Sequence, residues 1–350
     1  MSLALIPKPH APNPPFMSKA IQSKALRYAV HGSPFEALSL DTLDLPPLQD
    51  DSVALKVLAA PINPADFGCI GGSYGSLAAL PGTGGLEGVA EVIEVGANAS
   101  RFSEGDRVLL SGDPGSWQTV CHAPEDRLAP APDTLDDLQA AMFWVNPATA
   151  WRMMRDFAQL SPGDCIIQNA ATSAVGKLVI QFANHLGIRT INLVRSPASI
   201  PALLELGGTH AFLDDREAAQ KIRALPEFDR SSNKLGLNAV GGSSALNIAK
   251  ALADNASLVT YGGMDRDPAP FPTRYLIFNN LSLRGFWVSE WYRKAKPDEI
   301  ESMHEQIARL MKTASIRTEI AATYPIEDWR AALTHSQAPG KSGKVLFDFR

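Results

Sequence analysis

The pattern of hydrophobic and polar positions changes near Asn146. Before it, short strands alternate with turns: residues 53–58 alternate in part, as a half-buried strand does, and residues 89–95 form an apolar, largely β-branched run. A turn at 105–106 leads into a further predicted strand over 107–110. Since glycine and proline punctuate these segments closely, the pattern predicts a compact β-rich domain.

After Asn146, short apolar strands alternate with helical segments. The pattern predicts strands over 165–169, 190–194, 211–213, 237–240, 258–261 and 281–287, and helices over about 174–186 and 198–206. Alternating strands and helices indicate a parallel, doubly wound α/β sheet. The rest of the chain is predicted to form an amphipathic helix over 297–311, a second helix around 327–335 and a closing strand over 345–349.

The length of 350 residues indicates about two domains. We place the first in residues 21–145 plus 288–350 and the second in residues 146–287. Residues 1–20 are predicted to be a disordered tail. The first 35 residues contain no acidic residue, as in a transit peptide, but five prolines between positions 7 and 15 disfavour the amphipathic helix that such a signal needs. Met17 is an alternative natural start.

Composition excludes several classes of protein. A net charge of −5 argues against nucleic-acid binding, which needs a basic face, and no apolar run approaches the roughly 18 residues of a membrane helix. Three cysteines, Cys69, Cys121 and Cys165, are too few for a disulfide framework or a four-cysteine zinc site. We therefore expect a folded cytoplasmic protein that binds neither nucleic acid nor membrane.

The first strand of the predicted parallel sheet ends at Asn169 and runs into the turn Ala170–Ser173, followed by a helix. Ligands bind at the carboxyl ends of parallel strands, and the free N–H groups of a helix N-terminus favour anions. Small residues in the turn would let the backbone approach a pyrophosphate. Only Gly176 is in register with the full glycine-rich fingerprint, so an ordinary close contact between helix and strand is the alternative.

The end of the second strand indicates which dinucleotide is bound. A cofactor without a 2′-phosphate usually meets a carboxylate here, but Val194 is followed by Arg195 and Ser196. Arg195 lies nineteen positions after Gly176, close to the expected spacing of about 20. Because a planar guanidinium can make two hydrogen bonds to a phosphate, we predict NADPH rather than NADH. A solvated surface arginine is the alternative.

The sequence offers no convincing metal site. Its seven histidines are dispersed, without a pair at i, i+4. Cys121 and His122 are adjacent, and neighbours on a strand point to opposite faces. We predict no metal, so a substrate carbonyl would need a hydrogen-bond donor from the protein instead.

The chain resembles the medium-chain dehydrogenase/reductase superfamily and, within it, the zinc-free trans-2-enoyl-CoA / enoyl-[acyl-carrier-protein] reductases of the mitochondrial type. The matching segments are 60–66, 72–75, 84–89, 115–117, 145–150, 168–170, 189–195, 259–264 and 283–287. Zinc-containing relatives carry a histidine ligand where this chain has Leu86. Ala174 departs from the family pattern, because it replaces a glycine usual in the pyrophosphate turn.

The resemblance implies a GroES-like, β-rich catalytic domain and a doubly wound Rossmann domain that binds NADPH. It also implies that the Tyr74 hydroxyl lies beside the reacting thioester, and that Trp287 flanks the nicotinamide and the substrate. Without the resemblance, Tyr74 is a loop aromatic packed on a lid and Trp287 a buried aromatic that ends a core strand. The candidate cofactor-binding residues are Asn63, Asn146, Thr149, Asn169, Thr172, Ser173, Ala174, Val175, Gly176, Arg195, Ser196, Tyr261, Gly262, Gly263, Met264, Phe286, Val288 and Lys344.

The predicted function is NADPH-dependent reduction of the 2,3 double bond of trans-2-enoyl thioesters. The substrate's carrier, coenzyme A or acyl carrier protein, stays open. Two other functions also stay open: an NADPH-dependent quinone or enone reductase of the same fold, and an NADPH-binding sensor without turnover. The resemblance implies a homodimer joined through the last strand of the nucleotide domain.

Overall fold

A computed structural model describes residues 21–265 and 267–350, so the predicted disordered tail lies outside the described residues. The strands are β1 Gln22–Tyr28, β2 Leu38–Asp44, β3 Ser52–Pro61, β4 Gly82–Thr83, β5 Glu87–Val95, β6 Arg107–Ser111, β7 Val120–Pro124, β8 Ala129–Pro130, β9 Cys165–Gln168, β10 Arg189–Val194, β11 His210–Leu213, β12 Asn233–Asn238, β13 Ser257–Thr260, β14 Ser282–Gly285, β15 Ile320–Tyr324 and β16 Lys344–Asp348. The α-helices are α1 Pro34–Ala37, α2 Pro64–Ile70, α3 Asp137–Ala141, α4 Asn146–Asp156, α5 Ala174–His185, α6 Ile200–Glu205, α7 Ala218–Arg223, α8 Gly242–Ala249, α9 Thr273–Ile277, α10 Val288–Lys294, α11 Pro297–Thr313 and α12 Trp329–Gln337.

Strands from both ends of the chain share one sheet. This seven-stranded sheet has the order β15-β16-β3-β5-β6-β8, with β7 also paired to β3. Strand β3 is buried at every position except Lys56, as expected for a strand with neighbours on both edges. The C-terminal strand β16 joins it by antiparallel pairing of Leu346 with Pro61. A separate three-stranded sheet, β2-β1-β4, packs beside it.

The second large sheet is parallel throughout, with the order β11-β10-β9-β12-β13-β14. The predicted α/β fold class, with its doubly wound parallel sheet, is confirmed. The prediction of a strand over 237–240 was wrong in its bounds, because β12 begins at Asn233. The strand begins with polar residues, and the buried Asn233 amide donates to the Ala251 carbonyl at 2.9 Å. A search for apolar runs therefore does not detect where this strand begins.

A single hydrophobic cluster joins the two large sheets. It includes Leu58 and Val89 from the antiparallel sheet, Ile166 from the parallel sheet, and helical residues such as Met153 and Ile307 between them. Helix α4 therefore packs against both α5 and α11. The same packing places α4 beside the segment that follows β14, where the rings of Phe157 and Phe286 meet edge to face with centroids 5.9 Å apart.

Within residues 21–265 and 267–350, no helix has both the length and the apolar character to cross a membrane. Over the same residues, no group of three or more histidine, cysteine, aspartate or glutamate side chains is arranged to hold a metal ion.

Helix α11 carries a buried histidine that makes stability depend on pH. Burial lowers the pKa of His304 from 6.5 to about 4, and its Nε2 is 2.9 Å from the Tyr292 hydroxyl oxygen. The unfolded chain thus binds a proton at a higher pH than the folded protein does. Stabilisation by neutral His304 is complete above about pH 6.5 and is lost progressively as the pH falls from about 6.5 to about 4.

We expect wild type to lose about 2 kcal/mol of unfolding free energy through His304 between pH 7.5 and pH 5. The unfolding free energy of His304→Gln should fall by about 2 kcal/mol less than that of wild type between these pH values. His185→Gln, at an exposed position on α5, should show the same pH dependence as wild type. Urea unfolding at both pH values measures the difference. An identical pH dependence for His304→Gln and wild type would contradict the assignment.

Candidate active site

The turn after β9 is built to bring a helix start close to the strand. The Ser173 hydroxyl caps α5 by accepting a hydrogen bond from the Gly176 backbone N–H at 3.1 Å. A Cβ at position 176 would lie 2.8 Å from the Ala170 and Ala171 carbonyl oxygens, so no larger residue fits there. Ala170 itself adopts a φ of 46°, which favours glycine. The glycine-rich fingerprint is incomplete, yet the geometry that it usually encodes is present.

Asn169 comes directly before this turn, and its side chain is fully engaged with protein. Its amide donates to the Asn238 side-chain oxygen at 2.8 Å and to the Ser244 hydroxyl at 2.7 Å, and its oxygen accepts from the Ala239 N–H. These bonds tie the end of β9 to the end of β12. A cofactor contact by Asn169 would therefore come from its backbone.

The other candidates for cofactor binding gather at the same sheet edge, because the strands are parallel. Thr172, Ala174 and Val175 belong to the turn and the start of α5; Arg195 and Ser196 follow β10 and are exposed. The candidates that follow β13 are Tyr261, Gly262, Gly263 and Met264, and Met264 is 61% exposed. Burial raises the pKa of Tyr261, and the Ser173 hydroxyl opposes that shift in part. Phe286 and Val288 follow β14. The segments that border the sheet edge are therefore 172–176, 195–196, 261–264 and 286–288.

This edge fits a phosphorylated dinucleotide. The twelve-residue helix α5 begins here with free N–H groups, and glycine at position 176 lets the start of this helix lie close to the backbone of the preceding turn. The exposed guanidinium of Arg195 lies at the end of the neighbouring strand β10. No carboxylate follows β10 directly. The donors are therefore suited to a pyrophosphate and a 2′-phosphate.

The side chains of Tyr74 and Trp287 are in contact, although the two residues are 213 positions apart in the sequence. The Trp287 Nε1–H donates to the Tyr74 hydroxyl at 2.9 Å, and the two rings meet edge to face with centroids 5.7 Å apart. Glycine backbone packs against both rings: a Cβ at Gly75, in the loop after α2, would lie 3.3 Å from the indole of Trp287, and a Cβ at Gly68, on α2, would lie 3.4 Å from the Tyr74 ring.

The phenol of Tyr74 is a proton donor at neutral pH. Burial raises its pKa from 10.0, and hydrogen bonds from Trp287 and Ser289 lower it only in part. A tyrosine hydroxyl has one proton and two lone pairs. Since Trp287 donates to the oxygen, the proton is available for a substrate oxygen.

Four buried polar side chains lie beneath this site. Glu87 is fully buried and accepts hydrogen bonds from the Asn63 amide at 2.9 Å and the Val145 N–H at 2.8 Å. The ammonium of Lys344 donates to the Asn63 side-chain oxygen and to the Ile62 carbonyl. Asp66 accepts from the Asn63 N–H at 2.6 Å. A buried charge needs partners of this kind, and this cluster positions Asn63 and the start of α4.

Burial dominates the electrostatics of the cluster. It raises the pKa of Asp66 to about 7 and lowers the pKa of Lys344 to about 8, while their opposite charges act against both shifts. The sequence predicted Lys344 near a cofactor phosphate, whereas its amine is buried on the Asn63 side. Its contact with a phosphate stays a prediction. Sequence reasoning missed Asp66, which lies on α2, and Glu87, the first residue of β5; the available signal was a carboxylate in a segment of otherwise apolar or small residues.

The two candidates on α4 differ in how their side chains are used. The Thr149 hydroxyl donates to the Val145 carbonyl at 2.7 Å, one turn earlier. The Asn146 side-chain nitrogen is buried and has no hydrogen-bond partner within the described part of the chain. An unpaired buried donor is costly, so Asn146 is suited to an acceptor that arrives with a ligand.

Comparison with known proteins is consistent with this geometry. Residues 174–309 match the zinc-binding dehydrogenase family, and residues 49–133 match the alcohol dehydrogenase GroES-like domain. The chain is 38% identical over 328 residues to the mitochondrial enoyl-[acyl-carrier-protein] reductase of Homo sapiens, covering 92% of this chain and 88% of the relative.

Solved structures show the same likeness. The Etr1p/NADP/crotonyl-CoA complex is 31% identical with a TM-score of 0.84, and the mitochondrial 2-enoyl thioester reductase Etr1p/Etr2p heterodimer of Candida tropicalis is 30% identical with a TM-score of 0.84. Each match covers 94% of this chain and 100% of the other. A protein described as an NADPH:quinone reductase of Bacillus thuringiensis is 27% identical with a TM-score of 0.86, covering 94% and 99%.

Proposed function

The chain belongs to the mitochondrial enoyl-[acyl-carrier-protein] reductase family of the medium-chain dehydrogenase/reductase superfamily, and on this basis we propose how its site works. It is an NADPH-dependent oxidoreductase that reduces the 2,3 double bond of trans-2-enoyl thioesters. The observation that carries the assignment of roles is the Tyr74 hydroxyl, held by Trp287 at 2.9 Å next to the sheet edge suited to a dinucleotide.

When bound, NADPH supplies the hydride that adds to Cβ of the enoyl thioester. As that bond forms, negative charge develops on the thioester oxygen, and the Tyr74 hydroxyl donates a hydrogen bond to it. Tyr74 or a water molecule then gives a proton to Cα. Trp287 holds the phenol oxygen in place and covers one side of the reacting centre, which helps to exclude water.

The cofactor contacts are assigned by position. We propose that the turn 172–176 holds the pyrophosphate, that Arg195 and Ser196 hold the 2′-phosphate, and that residues 261–264 border the cofactor. Backbone groups of Phe286 and Val288 would pair with the carboxamide, as the family resemblance implies. Of the three polar candidates at the cleft, Asn146 has a side-chain nitrogen left for a ligand, whereas Asn63 belongs to the buried cluster and the Thr149 hydroxyl donates to the Val145 carbonyl.

Steady-state assays of NADPH oxidation test this function. We expect turnover with crotonyl and longer trans-2-enoyl thioesters, and a kcat/KM for the best of these at least tenfold above that for any member of a quinone and enone panel. The likeness to the Bacillus thuringiensis protein makes quinone or enone reduction the second candidate, and a reversed preference would favour it. NADPH binding without turnover on any acceptor would favour the sensor.

We further propose that the chain forms a homodimer through β14. This strand lies at the edge of the parallel sheet and all four of its residues are exposed, including Leu283 at 42%. An edge strand with an exposed apolar side chain is a template for pairing with another chain. The Etr1p/Etr2p heterodimer is an assembly of two such chains in a structural neighbour.

Leu283→Lys is expected to shift the mass in solution from about twice 37.6 kDa to 37.6 kDa, because a charge on the edge opposes pairing. Leu204→Lys is the matched control, since Leu204 on α6 is 43% exposed and lies away from β14. Light scattering of the two variants measures the effect. A wild-type protein of 37.6 kDa would contradict the proposal.

The carrier and the location remain proposals. Acyl carrier protein is a partner if enoyl groups on that carrier are reduced with a lower KM than the same groups on coenzyme A.

The cytoplasmic location is likewise a proposal, and the relatives named above are mitochondrial. Imaging of the full chain fused at its C-terminus, with and without residues 1–20, distinguishes the two compartments.

A further inference from the structure

One buried carboxylate joins the amino ends of two helices that lead to the candidate active site. Glu87, the first residue of β5, is fully buried. Its Oε1 accepts a hydrogen bond from the Asn63 side-chain amide at 2.9 Å, and its Oε2 accepts one from the Val145 backbone N–H at 2.8 Å. Asn63 comes directly before α2, and Val145 comes directly before α4. The two oxygens of Glu87 therefore hold the starts of these helices together.

Helix α2 connects this carboxylate to the Tyr74 hydroxyl. The loop after the helix is bound to its last turn, because the Ser73 and Tyr74 N–H groups both donate to the Gly68 carbonyl, at 2.9 and 3.2 Å. The Tyr74 ring also packs against the backbone of Gly68. Seven residues at about 1.5 Å each make α2 roughly 10 Å long, so a displacement at its start also displaces Tyr74.

Helix α4 connects the same carboxylate to the cleft. The Val145 carbonyl accepts hydrogen bonds from the Thr149 hydroxyl at 2.7 Å and from the Thr149 N–H at 2.9 Å, so the first turn of α4 is closed on Val145. The buried side-chain nitrogen of Asn146 has no hydrogen-bond partner among the residues that the structure describes. Such a donor is costly unless a ligand brings an acceptor. Its direction depends on the helix start that Glu87 holds.

The position of Glu87 requires a carboxylate rather than an amide. Both of its neighbours are N–H donors, and an ionised carboxylate only accepts hydrogen bonds. A glutamine would turn its NH2 group toward either Asn63 or Val145 and leave two buried donors facing each other. The negative charge is balanced through Asn63, whose side-chain oxygen accepts from the Lys344 ammonium. Burial raises the pKa of Glu87, and the charge of Lys344 opposes that shift.

We propose that Glu87 is a positioning residue for the reduction: by holding the starts of α2 and α4 together, its carboxylate fixes the Tyr74 hydroxyl relative to the Asn146 amide. The inference rests on the function proposed above and adds a residue to it. Because Glu87 is fully buried, it acts through Asn63 and Val145 rather than by contact with the substrate. Its loss should slow the bound complex, since an error of about 1 Å in placement can lower a rate about 100-fold.

Moving the carboxylate by one side chain tests this role. In the double variant Asn63→Asp/Glu87→Gln, the new carboxylate at position 63 can accept from Lys344 and from the NH2 group at position 87. The amide oxygen at position 87 can accept from the Val145 N–H. Each side chain keeps its length, the total charge is unchanged, and the bond between positions 63 and 87 is retained with donor and acceptor exchanged.

Single-turnover hydride transfer from NADPH, with cofactor and trans-2-enoyl thioester both saturating, measures the rate constant of the bound complex without effects on affinity. Glu87→Gln and Asn63→Asp are each expected to lower it about 10- to 100-fold, the second because it sets two carboxylates against each other. The double variant should lie within about threefold of wild type, because the two changes compensate each other. Urea unfolding of every variant gives its stability.

Gln139→Glu is the matched control for a change that affects stability alone. Gln139 is buried on α3, outside the candidate site, and its side-chain amide makes two hydrogen bonds of 2.9 Å with the backbone of Thr318. The substitution sets a carboxylate against the Thr318 carbonyl, which should lower the urea midpoint. The rate constant for hydride transfer should remain that of wild type.

Two results overturn the positioning role directly: a rate constant for Glu87→Gln within about twofold of wild type, or a folded double variant no faster than the single variants. If Glu87→Gln does not fold, the double variant decides by comparison with Asn63→Asp. Failure of the double variant to fold as well makes Glu87 a structural residue and also overturns the role. A wild-type protein without turnover on any enoyl thioester overturns the proposed function and this inference together, whereas an active wild type with an unaffected Glu87→Gln overturns the inference alone.

Discussion

Replacing Tyr74 with phenylalanine is expected to lower kcat for enoyl thioesters about 100- to 1000-fold. The reason is the loss of one hydrogen bond to an oxygen whose charge grows in the transition state, and removing a donor of this kind typically has an effect of that size. The dissociation constant for NADPH should stay within about twofold, because Tyr74 approaches the reacting centre from the antiparallel-sheet side. Stopped-flow hydride transfer and NADPH fluorescence measure the two quantities.

Tyr324→Phe is the matched control for this experiment. Its hydroxyl pairs with His335 at 3.0 Å between β15 and α12, away from the site, so kcat should be unchanged. Trp287→Phe should lower kcat less than Tyr74→Phe does, because it removes only the donor that orients the phenol. A kcat for Tyr74→Phe within twofold of wild type would remove Tyr74 from the mechanism.

Replacing Arg195 with glutamine is expected to raise KM for NADPH about 10- to 100-fold while KM for NADH changes little. A charged hydrogen bond contributes about 1.5–3 kcal/mol, and the 2′-phosphate is the only group by which the two cofactors differ. Arg195 is exposed directly after β10, where that phosphate would lie. Steady-state kinetics with both cofactors give the ratio.

Arg309→Gln is the control, since it removes an exposed arginine on α11, outside the segments that border the sheet edge. Equal increases in KM for NADPH and NADH in Arg195→Gln would place this guanidinium elsewhere on the cofactor. Unchanged KM values for both cofactors would instead make Arg195 a solvated surface residue, the alternative considered from the sequence.

Most of the fold was predictable from local pattern. Helix α5, predicted over 174–186, spans Ala174–His185, and the amphipathic helix predicted over 297–311 spans Pro297–Thr313. Their apolar positions recur at helical spacing, and that signal is local. Strand β12 was misplaced because Asn233 and Lys234 are polar residues in a strand, where tertiary hydrogen bonds outweigh hydrophobicity.

The candidate site was predictable only in part. The turn before Gly176 and the position of Arg195 follow from the spacing of one strand-helix-strand unit. By contrast, no local pattern places Glu87 under Asn63, since their contact depends on the pairing of separate strands. The hydrogen bonds of the Asn169 side chain could not be predicted either, because its partners Asn238 and Ser244 are 69 and 75 residues away in the sequence.

By itself, the sequence determined which segments become strands and helices, that a parallel sheet presents an anion-binding edge, and which family the chain resembles. These features rest on periodicity and short spacings, which act over a few residues. Only the tertiary structure decided that Trp287 donates to Tyr74, and that Lys344 pairs with Asn63 and faces Glu87 and Asp66. Each of these joins residues far apart in the chain, and such contacts exist only once the sheets and helices have packed.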